Sequence, residues 1–202
     1  MDPLSEKIVA IHHALDRASI PHAFGGALAL AFHTEEPRAT RDIDVNVFVD
    51  PGQAATVFAA LPPGVASGDD DRATVERDGQ VRLFWDDTPV DLFFTTHRFH
   101  DLARLDAQRV PFADTAIPIL GATELIVFKA FFDRTKDWAD IEAMLAAGDA
   151  EAHHALGWLV DLLGPDDHRV ARLRALVGRD AAPEPRFEPD DGSSEQRPRD
   201  AS

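Results

Sequence analysis

Hydrophobic and polar residues alternate with two different periods along the first fifty positions. Apolar residues three and four positions apart from Leu4 to Leu15 predict an amphipathic first helix. His22–Gly26 is short and extended, and the apolar segment Ala27–His33 predicts a second helix. Arg41–Val49 alternates strictly, with its branched residues on one side, which predicts a half-buried strand. The chain therefore begins as a mixture of helices and strands.

The middle of the chain combines turn signals with further strands. An acidic loop over Asp69–Asp71 leads to Asp78-Gly79, a strong hairpin signal, and this predicts that Thr74–Arg77 pairs with Gln80–Trp85. Val90–Thr95 is rich in branched and aromatic residues, which predicts another strand. A helix is predicted over 53–61, and a small strand pair over 110–112 and 116–120.

Helical spacing dominates after Gly121. Thr123 is a candidate cap for a helix that carries Phe128 and Phe132 on one side. Further helices are predicted over 138–145, 151–163 and 165–177. We expect an α+β fold, a small mixed sheet flanked by helices, in residues 1–120, then a helical portion in 121–179. Residues 180–202 are acidic and nearly free of apolar side chains, which predicts a disordered tail.

Composition narrows the possible functions. The chain has 202 residues and a net charge of −16, which argues against general nucleic-acid binding because phosphate contacts need a basic surface. It contains no Cys, so disulfides, thiolate zinc sites and a Cys nucleophile are excluded. The start does not resemble a signal peptide, and no apolar run approaches the length of a membrane span. We therefore expect a cytoplasmic protein without membrane contact.

Carboxylates form the most informative pattern. Residues two apart on a strand face the same way, so Asp42 and Asp44 project together. Asp91 stands between apolar neighbours in a second predicted strand. If the two strands are adjacent, all three carboxylates converge on a site for Mg²⁺ or Mn²⁺, which prefer oxygen ligands shared with substrate phosphates. The alternative interpretations are a solvated strand face for Asp42 and Asp44, and an edge acid for Asp91.

The glycine pair Gly25-Gly26 supplies a complementary feature. Glycines before a helix let backbone N–H groups approach an anion closely, and a helix N-terminus favours negative charge. A phosphate-binding turn near a metal-binding strand predicts chemistry on a nucleoside triphosphate.

This pattern resembles the nucleotidyltransferase superfamily, the polymerase-beta-like fold. Its members have a glycine turn, a helix, an Asp-x-Asp strand and a third acid on a later strand, and Gly25, Gly26, Asp42, Asp44 and Asp91 match those positions. The resemblance implies a Mg²⁺-dependent enzyme, with the three aspartates as metal ligands and catalytic residues and with a nucleoside triphosphate such as ATP as substrate.

The segment Arg38-x-Thr40-x-Asp42 looks most like the AbiEii-type branch, which includes toxins of type IV toxin–antitoxin pairs. Lys129, Lys136-Asp137 and Asp140 look like the later motifs of that branch. By resemblance, Arg38, Thr40, Lys129, Lys136 and Asp137 are candidate nucleotide-binding residues, and Lys129 is also a candidate catalytic residue. A cognate antitoxin is then a possible partner.

The spacing of Lys129, Asp133, Lys136, Asp137 and Asp140 also fits one helical face. Such a stripe would place Lys129 on the triphosphate, with Asp133 or Asp137 fixing its direction. The alternative is an exposed helix face with alternating charges. The nine histidines do not form a zinc spacing pattern, and neither a Walker-type loop nor a serine-hydrolase motif occurs.

The acceptor of the nucleotidyl group is open at this level. The AbiEii-type resemblance implies RNA such as tRNA, or a protein. Antibiotic-modifying relatives imply a cationic small molecule, and residues 69–91 favour it because they hold eight acids against three arginines. A non-catalytic module that keeps the fold and binds a partner through its helical half is the alternative outside enzymes.

Overall fold

A computed structural model describes residues 3–35, 40–148 and 150–180. Within these residues the strands are β1 (His22–Phe24), β2 (Ile43–Val47), β3 (Val65–Ala66), β4 (Gln80–Trp85), β5 (Thr88–Phe94), β6 (Gln108–Phe112) and β7 (Thr115–Ile119). The helices are α1 (Pro3–Arg17), α2 (Gly26–Thr34), α3 (Ala54–Ala60), α4 (Asp69–Asp78), α5 (Phe99–Leu105), α6 (Ala122–Phe132), α7 (Thr135–Ala147), α8 (Ala152–Leu163) and α9 (His168–Asp180). The predicted acidic tail beyond residue 180 lies outside the described residues.

The strands form one mixed seven-stranded sheet in the order β3-β4-β5-β2-β1-β7-β6. β2 lies at its centre, parallel to β5 and antiparallel to β1. Ile43, Val45, Val90 and Leu92 are buried, and they alternate with Asp44 and its neighbours along the two central strands. This alternation turns the polar residues of β2 and β5 to one common face.

Helices close the remaining sides of the core. α6 packs against α2, α7 and α8, and α8 packs against α9. Trp138 is among the largest fully buried side chains and holds α7 in this arrangement. The predicted α+β class, with a mixed sheet and C-terminal helices, is confirmed. Within the described residues, no helix combines the length and the apolar composition that a membrane crossing requires.

The predicted hairpin at Asp78-Gly79 is wrong. Asp69–Asp78 is a helix, and Gly79 ends it in the left-handed region with φ +69°. The three aspartates at 69–71 lie in the first turn of α4, where the helix dipole stabilises negative charge. The observed hairpin joins β4 and β5 through Asp86-Asp87, which places Trp85 opposite Thr88.

The predicted single helical face from Lys129 to Asp140 is also wrong. Asp133 takes the left-handed conformation with φ 56° and ends α6, so that α7 starts a new helix at Thr135. The charged residues therefore approach one another across a turn between two helices rather than along one face. At the start of α6, Gly121 and not Thr123 occupies the cap position, and the Thr123 hydroxyl instead accepts a hydrogen bond from the backbone N–H of Glu151.

Candidate active site

Three charged residues lie side by side on three neighbouring strands. Asp44 of β2 is the direct register partner of Asp91 of β5, and Asp91 is the direct partner of Arg82 of β4. In a sheet, register partners on adjacent strands are close enough for their side chains to interact. Pairing of β2 with β5 therefore brings together the two carboxylates that lie 47 positions apart in the chain.

Arg82 binds Asp91 through two parallel hydrogen bonds. Its Nε donates to Oδ1 and its Nη2 donates to Oδ2, both at 2.7 Å. Nη2 also lies 3.8 Å from Oδ2 of Asp42. The Asp91 side chain is only 14% exposed, whereas those of Asp42 and Arg82 are 42% and 53% exposed. The guanidinium thus covers Asp91 from the solvent side.

Asp44 lies in a different electrostatic setting. Burial, together with the negative charges of Asp91 and Asp42, raises its pKa from 3.8 to about 6. The positive charges of Arg134 and Lys129 lower it only in part. Among the described residues, none donates a hydrogen bond to this carboxylate. Asp44 is therefore a half-buried acid whose ionised form a cation would stabilise.

The glycine pair lies directly against Asp44. The Gly25 N–H donates to the main-chain oxygen of Asp44 at 2.9 Å, which ties the start of α2 to β2. Gly26 has φ +55°, and a Cβ at this position would overlap Oδ2 of Asp44. Only glycine therefore lets the first turn of α2, with its unpaired N–H groups, approach the carboxylate.

Lys129 and Arg134 form a basic wall at the turn between α6 and α7. The Lys129 ammonium donates to Asp140 at 2.7 Å and lies 3.6 Å from Oδ1 of Asp137. Arg134 binds both oxygens of Asp137, at 2.6 and 3.1 Å. Asp137 is fully buried and Lys129 is 6% exposed. The two acids hold both cations in fixed positions.

These groups line one cavity of about 360 Å³. Its walls include Gly26, Asp44, Asp91, Arg82, Lys129 and Arg134, together with Thr74 and Asp78 from α4 and the rings of Phe93, Phe128 and Phe132. Acids, the start of a helix and three cations thus converge on a space of the size that small-molecule sites have. The arrangement is able to bind an anion at its basic wall and a cation at its carboxylates.

Of the three predicted metal ligands, Asp44 and Asp91 line the cavity and Asp42 does not. No group of three His, Asp or Glu side chains in the described part of the chain is arranged to hold a metal ion. Magnesium, however, commonly takes one or two protein carboxylates and completes its shell with water and substrate phosphates. Asp44 with Asp91 meets that smaller requirement, so these residues fit a magnesium ion shared with a nucleotide.

The other residues predicted from the sequence are distributed unevenly. Thr40 shapes the approach to β2, because its hydroxyl donates to the backbone oxygen of Asp42 and accepts from its N–H. Lys136 is exposed and does not line the cavity. The Asp133 carboxylate accepts hydrogen bonds from Trp138 and His168, and the contact of Asp133 with Lys129 is made by its backbone N–H, which donates to the Lys129 carbonyl oxygen. Arg38 lies outside the described residues.

Sequence reasoning missed Arg82 and Arg134. Arg82 was missed because the hairpin turn was predicted at the wrong place. With the turn at Asp86-Asp87, counting outward along β4 and β5 places residue 82 opposite residue 91. The alternation of apolar and polar residues on both sides of Asp86-Asp87 was the signal that could have located this hairpin. Arg134 carried no comparable signal, since its place in the cavity depends on the break after Asp133.

Comparison with known proteins gives a likeness of fold. A scan against protein-family models and a search of the curated proteins both found no match. The solution structure of the antibiotic-resistance factor ANT(2'')-Ia matches with a TM-score of 0.50 and 16% identity, covering 89% of this chain and 93% of that one.

A crystal structure of ANT(2'')-Ia in complex with adenylyl-2''-tobramycin matches with a TM-score of 0.51 and 16% identity, over 89% of this chain and 99% of that one. A crystal structure of an antigenic nucleotidyltransferase-like protein from Paracoccidioides brasiliensis matches with a TM-score of 0.48 and 14% identity, over 89% of this chain and 90% of that one. These identities are too low to carry an activity. The chain has the nucleotidyltransferase fold.

Proposed function

We propose that this protein is a metal-dependent nucleotidyltransferase, which moves a nucleoside monophosphate from a nucleoside triphosphate to an acceptor hydroxyl. The observation that carries the proposal is the register pairing of Asp44 with Asp91 beside the glycine start of α2. Carboxylates for a cation and N–H groups for an anion then face the same cavity. ATP is the first nucleotide to test, and its use is consistent with the cytoplasmic location expected from the sequence.

Different residues of the cavity would bind the phosphates and the metal ion. The N–H groups of Gly26 and the next residues would hold phosphate oxygens, with Arg134 and Lys129 neutralising their charge. Asp44 and Asp91 would hold Mg²⁺, which supplies charge neutralisation at the reacting phosphate when it is bound. In this scheme Asp42 remains a candidate third carboxylate at the solvent edge.

The transfer itself is a displacement at the α-phosphorus. The acceptor oxygen forms a bond to phosphorus, and the bond to the bridging oxygen of pyrophosphate breaks. The proton of the acceptor hydroxyl passes to a carboxylate oxygen, and Asp91 is the proposed recipient. Each of its oxygens accepts one hydrogen bond from Arg82, which leaves one lone pair on each oxygen for the proton.

A cationic small molecule is the acceptor that the site favours. Asp78 lines the cavity, and the first turn of the same helix, α4, carries Asp69, Asp70 and Asp71. These acidic residues of α4 would attract a polyamine-like or aminoglycoside-like acceptor and repel the phosphates of RNA. The toxin-like alternative, with tRNA or a protein as acceptor and an antitoxin as partner, predicts the opposite preference.

The test is transfer of label from α-³²P-labelled nucleoside triphosphates with Mg²⁺, offered aminoglycosides, total cell RNA or cell protein in parallel. We expect label on a cationic small molecule and loss of transfer in Asp44→Asn and Asp91→Asn. Asp87→Asn, which removes an exposed acid from the β4–β5 turn, is the control and should retain activity. Label on RNA or protein would instead support the toxin-like alternative.

Absence of nucleotide binding with every metal would instead identify a non-catalytic module that has kept the fold. Isothermal titration with Mg²⁺ and a non-hydrolysable ATP analogue makes this distinction independently of the acceptor. Binding that disappears in Asp44→Asn supports the enzyme. Binding that is unchanged in that variant contradicts the assignment of the metal to Asp44.

A further inference from the structure

Arg82 binds the carboxylate of Asp91, one of the two side chains that the proposed function assigns to a metal ion. Its guanidinium uses both oxygens of that carboxylate and reaches toward Asp42 as well. Each carboxylate oxygen has two lone pairs, and Arg82 uses one on each, so a metal ion bound to Asp91 would lie beside the positive charge of the guanidinium. Repulsion between the two positive charges therefore makes Arg82 and a metal ion compete for Asp91.

The position of Arg82 allows it to leave. Its side chain is 53% exposed, and it stands on β4 with the solvent on its outer side. By contrast, Lys129 and Asp137 are buried among neighbours and have no comparable freedom. A change of side-chain rotamer is sufficient to free Asp91, without movement of the sheet.

Arg82 compensates the negative charge of Asp91, which lies beside a second carboxylate. Asp44 and Asp91 are register partners on adjacent strands, so their negative charges repel each other. In the metal-free protein, Arg82 is the side chain that neutralises Asp91 directly. A resident cation of this kind stabilises the empty site and, for the same reason, opposes the entry of a metal.

We propose that Arg82 competes with the divalent cation for Asp91 and thereby sets the metal affinity of the site. The inference rests on the proposed function, because it takes Asp44 and Asp91 as the metal ligands. It adds a positioning residue that acts before any chemistry: the metal binds in exchange for the Arg82 side chain. A low affinity for free metal in the wild type is its direct consequence.

The test measures binding of Mn²⁺ alone, by the electron paramagnetic resonance signal of the free ion, in the wild type and in Arg82→Gln. We expect the variant to bind Mn²⁺ about tenfold more tightly, since a bidentate ion pair no longer has to be broken. Arg77→Gln is the matched control, because Arg77 makes a similar two-bond pair with Asp78 at the same edge of the cavity. Its affinity should remain within about twofold of the wild type.

The outcomes separate this inference from the proposed function. Equal or weaker Mn²⁺ binding in Arg82→Gln, with clear binding by the wild type, overturns the role of Arg82 alone. Equal tightening in both arginine variants also overturns it, because the effect would then be general electrostatics. If the wild type and both variants all fail to bind Mn²⁺, the inference and the metal-dependent function fall together.

A second variant guards against loss of folding. Arg82→Lys keeps the positive charge but cannot make the two parallel hydrogen bonds, so we expect a smaller tightening of about threefold. A circular dichroism melt accompanies each protein, and only folded variants are compared. If Arg82→Gln does not fold, then unchanged or weaker binding in Arg82→Lys overturns the proposal.

Discussion

Replacement of Asp44 by Asn should make the protein more stable, although it removes the residue on which the proposed function depends most. The reason is that an ionised carboxylate is held beside Asp91 in a poorly solvated position. Asn keeps the shape of the side chain and removes the charge. Backbone pairing is unaffected, because the Gly25 N–H bonds to the main-chain oxygen of residue 44.

The size of the effect follows from the pKa of Asp44. Its rise from 3.8 to about 6, at about 1.36 kcal/mol for each pKa unit, costs the folded state about 3 kcal/mol above pH 7. Solvent reaches part of the side chain and screens some of this cost, so we expect Asp44→Asn to gain about 2 kcal/mol at pH 8.

The raised pKa of Asp44 also determines whether the folded state gains or loses stability as the pH rises. Between pH 3.8 and about 6 the folded protein binds the proton more tightly than the unfolded chain, so the folded state loses stability as the pH rises through this range. The penalty is complete above pH 6 and absent below 3.8. The gain from Asp44→Asn should therefore fall to about half at pH 5.

Urea denaturation at pH 8 and pH 5 measures both numbers, with Asp87→Asn as the control for the loss of one surface charge. The reasoning is refuted if Asp44→Asn is no more stable than the wild type at pH 8. It is also refuted if the gain is the same at both pH values. Added Mg²⁺ should stabilise the wild type and leave the variant unchanged, since a bound cation removes the same penalty.

Three further changes test other parts of the structure. Gly26→Ala should lower stability by about 2 kcal/mol and weaken nucleotide binding, because its Cβ would overlap Asp44 at a left-handed φ; Gly148→Ala, a positive-φ glycine with open space around it, is the control for the thermal melt. Lys129→Met should cost about 3 kcal/mol in urea denaturation, because two buried acids lose a cation. The exposed Lys136→Met should cost little. Burial and the charge of His22 lower the pKa of His12 from 6.5 to about 4, so stability should fall as the pH drops through that range, by at most about 3 kcal/mol.

Each of these has a clear contrary result. A Gly26→Ala protein that melts and binds nucleotide like the wild type would show that α2 does not approach the carboxylate closely. A small effect of Lys129→Met, equal to that of Lys136→Met, would place Lys129 on the surface. His12, whose ring hydrogen-bonds to that of His22, gives the third test: His12→Gln should reduce the loss of stability below pH 6.5, whereas substitution of the exposed His13 by Gln should not.

Local patterns carried much of the prediction. Strand β2 and helix α2 follow from alternation and from the glycine pair, because each depends on a few consecutive residues. The prediction at Asp78-Gly79 was wrong because it also rested on a few consecutive residues. Gly79 does adopt a turn conformation, but there it ends helix α4 instead of joining two strands. Local turn chemistry does not reveal what lies on its two sides.

The sequence by itself determined that an Asp-x-Asp strand, a glycine turn and a later aspartate exist in this chain, and that they suit phosphate and metal chemistry. The tertiary structure decided which of them meet. Asp91 faces Asp44 because β2 and β5 are parallel neighbours, and Arg82 faces Asp91 because the hairpin turns at Asp86-Asp87. Such contacts depend on strand order and register, which arise from burial of the apolar faces of the whole sheet and not from any one segment.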